Sequence, residues 1–284
     1  MKRFVSIAAV AGFMTAGGAA ALITGSAGAK SARTAVAPPT LNIALTGTRG
    51  VSVSGSTASG AVNVVSTFKG KQPSNGAAFA LARLNPGVSL QQAFRAVQSH
   101  RGNMDALTPY GAIVVDSSSP GTVQTVLTPG NWVALNVSSE NGPPGFKEFT
   151  VTQSSSPAAL AAASSTQKAV EFAFQGPTVL HSGTMVRAVN AGYLVHMIQL
   201  VGVKSRTAGL TLLKVLKVHS SRKAARPFLN GQFASLQAPV SPGGMQQSVL
   251  HAKPGWYLEA CFMDTQDGRE HVQLGMERLV KVVK

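Results

Sequence analysis

Two stretches of this 284-residue chain repeat one pattern, and that repeat limits the fold more than any other feature. Thr125-Val-Leu-Thr-Pro-Gly-Asn-Trp-Val-Ala-Leu-Asn136 aligns with Ser248-Val-Leu-His-Ala-Lys-Pro-Gly-Trp-Tyr-Leu-Glu-Ala-Cys261, with two extra residues before the second Pro-Gly. In each, Pro presets φ and Gly accepts a positive φ, so a tight turn feeds an aromatic-rich run of strand character. Upstream, Ser54-Gly55 and Ser182-Gly183 turns precede apolar runs that end in Phe79–Leu84 and His196–Val201. One unit of about 115 residues, the size of a small domain, is therefore expected twice.

Short β-rich runs separated by turn clusters define that unit: Leu41–Leu45, Gly60–Ser66, Ala112–Asp116, Phe149–Thr152, Met185–Asn190 and Leu279–Val283. This pattern predicts an all-β chain of two tandem β-sandwich domains, each with a short helical excursion. In the first, Ser89 and Gln92 form a capping box ahead of Phe94 and Val97, and the helix should stop near Gly102. In the second, Leu210, Leu213, Leu216 and Lys217 have helical spacing, although the same residues suit a buried strand. Residues 153–168, rich in Ser and Ala, read as a linker between domains at 40–152 and 169–284.

Lys2 and Arg3 precede a soft apolar stretch from Phe4 to Ile23, and Ala27-Gly28-Ala29 offers a cleavage site. Residues 1–29 thus read as a signal peptide and 30–39 as a flexible leader of a secreted or extracytoplasmic protein with no membrane span in the mature chain. Cys261 is the only cysteine, so no intrachain disulfide forms, and a lone thiol in an exported chain invites a specific explanation. Late in the chain Cys261, His271 and Met276 follow the spacing Cys-x9-His-x4-Met, and His196 ends the run Asn190-Ala-Gly-Tyr-Leu-Val-His. Two imidazoles, a thiolate and a thioether suit copper, whose blue sites use two His and one Cys with a weak axial Met.

These motifs resemble the cupredoxin (blue copper) family over about Val170–Val283, through Asn190-x5-His196, Cys261-Phe262, Asp267-Gly268, His271 and Gly275-Met276. The resemblance implies a Greek-key sandwich with His196, Cys261 and His271 as strong copper ligands and Met276 as the axial one. It implies an electron carrier or copper-handling protein rather than an enzyme. Met197 stands where many members have Asn, and the Cys-to-His interval is longer than in the small plastocyanin-like members. No second His adjoins Cys261, so a coupled second copper centre is not expected.

The first copy has Asn136 opposite Cys261 and lacks His or Met in the following loop, so it reads as a metal-free sandwich kept for stability or docking. His100, His181, His219 and His251 read as structural or solvated. A formal charge of +15 favours anionic partners through long-range attraction. Lys204, Arg206, Lys214, Lys217, Arg222, Lys223 and Arg226 form a run without an acidic residue, suited to a redox partner protein or an anionic envelope component. The run lacks interleaved aromatics, which disfavours nucleic acid. There is no Gly-rich phosphate loop, nucleophile elbow or His-Glu-x-x-His motif. The alternative to copper is a metal-free binding module that docks an anionic component or acidic protein.

Overall fold

A computed structural model describes residues 37–70, 76–117, 120–138, 143–218 and 222–284. The expected signal peptide, most of the expected leader and His219 lie outside the described residues, as does the side chain of Arg222. The first half contains β1 (Thr40–Thr46), β2 (Gly50–Gly55), β3 (Gly60–Lys69), β4 (Phe79–Leu84), α1 (Leu90–Ser99), β5 (Gly111–Ser117), β6 (Gly121–Leu127), β7 (Gly130–Asn136) and β8 (Gly145–Val151). The second contains β9 (Ser165–Val170), β10 (Ala173–Gln175), β11 (Val179–His181), β12 (Met185–Asn190), β13 (His196–Val203), α2 (Arg206–Val218), β14 (Leu229–Val240), β15 (Met245–Val249), β16 (Gly255–Ala260) and β17 (Glu277–Val283).

The architecture is all-β. In the first half, strands in the order β6-β3-β1-β2 face a sheet ordered β5-β4-β7-β8; in the second, β15-β12-β9-β10 face β14-β13-β16-β17-β11. The same pairings recur, including a parallel first pair in each half, β1 with β3 and β9 with β12. Alternation of side chains buries Leu41, Ile43, Leu45 and Trp132 between the first two sheets, and Ile198, Leu200, Tyr257 and Val282 between the second two. Cys261 and Met276 belong to that second core.

Ser89 caps α1 through the expected box with Gln92, and the helix ends at His100, just before Gly102. The Leu-rich run of the second half is helical. Its Leu212 and Leu216 pack on Val203 and Leu258 from outside the sheet. A Cβ on Gly209 would come within 2.5 Å of Leu279, so this glycine lets α2 lie close to the strands. The linker is shorter than expected, because Ser165 to Lys168 already pair in β9.

The halves are not independent. β6 and β15 pair antiparallel at Gln124 and Gln247, which makes the two first sheets one eight-stranded sheet. Gln247 Nε2 donates to Gln124 Oε1 at 2.8 Å, and Thr125 Oγ1 donates to Met245 O at 2.6 Å. Ser241 N–H donates to Ile113 O at 2.9 Å, and Ile113 N–H returns a bond to Ser241 Oγ at 3.0 Å. Val240, fully buried, joins the outer core of the first half with Leu84, Leu90 and Leu135. Both halves should therefore unfold in one transition, with near-ultraviolet circular dichroism from Trp132 and Trp256 tracking the far-ultraviolet signal in denaturant. Two separated midpoints would show that the shared sheet couples them weakly.

Candidate metal centre

Asn190, at the end of β12, shapes the loop that delivers His196. Its buried Nδ2 donates to Leu194 O at 2.7 Å and Val240 O at 2.9 Å, while its Oδ1 accepts Gly192 N–H at 3.0 Å. Glu171 Oε1 accepts the next two amides, Tyr193 N–H at 2.5 Å and Leu194 N–H at 3.0 Å. His196 then begins β13, buried. Cys261 directly follows β16, where alternation sets its side chain inward like that of Tyr257.

The segment after Cys261 turns back as the sequence requires. Asp264 bridges Glu270, and His271 opens a 3₁₀ turn over His271–Leu274 that Gly275 ends with φ 102°. Backbone bonds knot the three positions together: His271 N–H to Met263 O at 2.8 Å, Met276 N–H to His271 O at 3.0 Å, and Cys261 N–H to Met276 O at 3.2 Å. Met276 is fully buried in the same core as Cys261.

Three donor atoms converge. His196 Nδ1 lies 3.1 Å from His271 Nδ1, and Cys261 Sγ lies 3.4 Å from His271 Nδ1 and 3.8 Å from His196 Nδ1. A triangle with these sides has a circumscribed radius of about 2 Å, close to a metal–imidazole bond length. A single ion thus fits among all three with little movement.

Proton accounting points the same way. His196 Nε2 sits 3.2 Å from Glu171 Oε1, and a carboxylate only accepts, so Nε2 carries the hydrogen and Nδ1 of the neutral ring is bare. If His271 Nδ1 donates to it, His271 Nε2 becomes a bare buried acceptor, and that atom has no partner among the described residues. If His271 Nε2 holds the hydrogen, two lone pairs face each other across 3.1 Å. A cation among the three donors removes that conflict, and the carboxylate behind His196 is the kind of outer partner that orients metal-bound histidines.

Burial keeps both rings neutral and ready to donate lone pairs. It pushes His271 down to about 4, assisted by the neighbouring His196, and lowers His196 against the opposing pull of Glu171. Glu171 itself is held below its ordinary value: desolvation opposes this, but the amides of Leu194 and Tyr193 and the His196 ring outweigh it. Burial also pushes the Cys261 thiol up to about 12. Its sulfur nonetheless accepts Met197 N–H at 3.4 Å, an acceptor role suited to a thiolate.

The structure therefore brings His196, Cys261 and His271 together and packs Met276 into the same core. Met197 lends its backbone N–H to the sulfur, and Asn190 braces the loop that precedes His196. Glu171 and Phe172, whose ring meets His271 edge-on at 5.1 Å, were not found from sequence. Glu171 carried one signal, being among only ten acidic residues in the chain. In the first half, Asn136 instead donates to Gly47 O at 3.2 Å and Gly50 O at 2.8 Å. His100 bonds Ala96 O at the end of α1, His181 bonds Lys284 O, and His251 is exposed.

No family model and no curated protein matches the chain. Among solved structures it is similar to auracyanin B, with 19% identity, 44% of this chain and 94% of that one covered, and a TM-score of 0.27. It is similar to dithionite-reduced auracyanin from the photosynthetic bacterium Roseiflexus castenholzii, with 18% identity, 43% and 100% covered, and a TM-score of 0.27. A multicopper oxidase matches at 13% identity over 86% of this chain and 88% of that one, with a TM-score of 0.24. The case for a metal centre rests on its geometry.

In the metal-free protein the His271 ring should stay neutral well below its ordinary value of 6.5 and titrate near 4. Its contribution to stability is then complete above pH 6.5 and is lost as pH falls toward 4. Imidazole nuclear magnetic resonance shifts followed against pH test this, and titration of His271 near 6.5 would contradict the burial account.

Proposed function

We propose that this chain is an exported copper-binding protein that serves outer-sphere electron transfer or copper handling. His196 and His271 would hold the ion through Nδ1, Cys261 through Sγ, and Met276 as the weaker axial donor. The observation that carries this reading is the convergence of two imidazole nitrogens and one sulfur, all buried. Soft sulfur with imidazole favours copper among the divalent and monovalent candidates, and the bound ion would supply one-electron redox chemistry.

The chain's own part is to hold the donors still. Cys261 sits at a strand end, His196 is fixed by Glu171 on its far nitrogen, and His271 is tied by backbone bonds to Met263 and Met276. Donors held this way change little between oxidation states, which suits a carrier. Export rests on the amino-terminal segment alone, and no helix among the described residues is long and apolar enough to cross a membrane.

A second reading has its own observation. Lys204, Arg206, Lys214, Lys217, Lys223 and Arg226 are all exposed on and around α2. Arg206 and Lys281 flank Trp256 at 6.0 and 5.8 Å from its ring. This cationic face suits an acidic redox partner or an anionic envelope component, with or without a metal.

Titration with Cu(II) should saturate at one ion per chain with an intense visible absorption that Cys261→Ser abolishes. No band, together with salt-sensitive binding to polyanions, would favour the metal-free module. Because capture releases the Cys261 proton, the apparent copper affinity should rise about tenfold per pH unit between about 7 and 9 in a competition assay. A flat profile would argue against thiolate ligation.

A further inference from the structure

The first half contributes no donor to the centre, yet it touches the loop that carries His196. Asp105 lies in a 3₁₀ turn over Met104–Leu107 that Asn103 caps, accepting Asp105 N–H at 2.8 Å. From there its Oδ1 accepts Val195 N–H of the second half at 2.7 Å. Val195 is buried, and it immediately precedes His196, so this amide has its acceptor in the other half of the chain.

A second grip comes through β14. Val240 is the register partner of His196, and it is buried in the outer core of the first half beside Leu84, Leu90 and Ile113. The next residue, Ser241, exchanges two bonds with Ile113 on β5. Val240 O also accepts from Asn190, the residue that shapes the His196 loop. Met104 and Leu107, on either side of Asp105, pack on that same core and fix the turn. The backbone on both sides of His196 is thus referenced to the first half.

We propose that Asp105 is a positioning residue of the metal centre: by holding Val195 N–H it sets the place of His196, which makes the metal-free half a working part of the site. This rests on the copper reading above. The carboxylate does not reach the donors; it acts on their placement through the backbone next to His196, and its charge also raises the proton affinity of His196 and Cys261. Groups hydrogen-bonded to a metal ligand commonly govern affinity by about 10- to 100-fold when lost, and Asp105, one step further out, is expected to act at the lower end of about tenfold.

The test uses the full chain carrying Asp105→Ala and Asp105→Asn. Asn keeps the acceptor oxygen though not the charge, so it should still hold the Val195 amide, whereas Ala should not. In the copper-free protein, hydrogen exchange at the Val195 amide should quicken in Asp105→Ala and stay slow in Asp105→Asn. With copper, Asp105→Ala should bind about tenfold more weakly and show a changed visible and electron paramagnetic resonance signature, with Asp105→Asn restoring the signature. If wild type binds copper and Asp105→Ala matches it in affinity and spectra, the positioning role is wrong and the copper reading stands. If Val195 exchange is unchanged, the brace itself is wrong whatever the metal does. If wild type takes up no copper, both readings fall together.

Discussion

Two imidazole nitrogens and a cysteine sulfur, all buried, sit within hydrogen-bonding distance of one another, and the second half of the molecule is arranged around that fact. Once Glu171 claims the hydrogen on His196 Nε2, either His271 Nδ1 donates to His196 Nδ1 and leaves His271 Nε2 a bare buried acceptor, or two imidazole lone pairs face each other across 3.1 Å. An unpaired buried polar group costs about 1 to 3 kcal/mol, and such a conflict persists only where the surrounding structure enforces it. Here the enforcement comes from the end of β16, the start of β13 and the 3₁₀ turn at His271, each tied by backbone bonds.

The two halves answer the same topological position differently. At the end of β7, Asn136 turns its amide to Gly47 O and Gly50 O and accepts Ser138 N–H, so the first sandwich closes with neutral hydrogen bonds. At the end of β16, Cys261 faces two imidazoles in place of such a closure. The half that closes by itself then supports the half that does not, through the continuous sheet and the seating of Val240.

Much of this was legible in the residue order because the determinants are local. The Ser89 capping box and alternating strands depend on near neighbours and fall where expected, whereas of the two Pro-Gly glycines Gly130 takes a positive φ of 135° and Gly255 does not. The grouping of His196, Cys261 and His271 was legible because Cys261 and His271 share one short stretch and His196 opens an apolar strand. The α2 segment was ambiguous because its Leu and Val residues suit either period, and packing on Val203 and Leu258 decides for the helix. Glu171 and Asp105 were hidden for another reason. Each acts on a segment 22 to 90 residues away, by bonds to backbone amides, which leave no side-chain pattern to read. The pairing of β6 with β15 was hidden likewise, since sheet continuity between repeats depends on edge geometry alone.

The central claim is that one ion sits among His196, Cys261 and His271. Crystals grown with copper and measured at its absorption edge test it most directly. The account predicts one anomalous peak about 2 Å from both Nδ1 atoms and slightly farther from Sγ. A peak bound only at surface residues, or none at all in a well-ordered crystal, would contradict it.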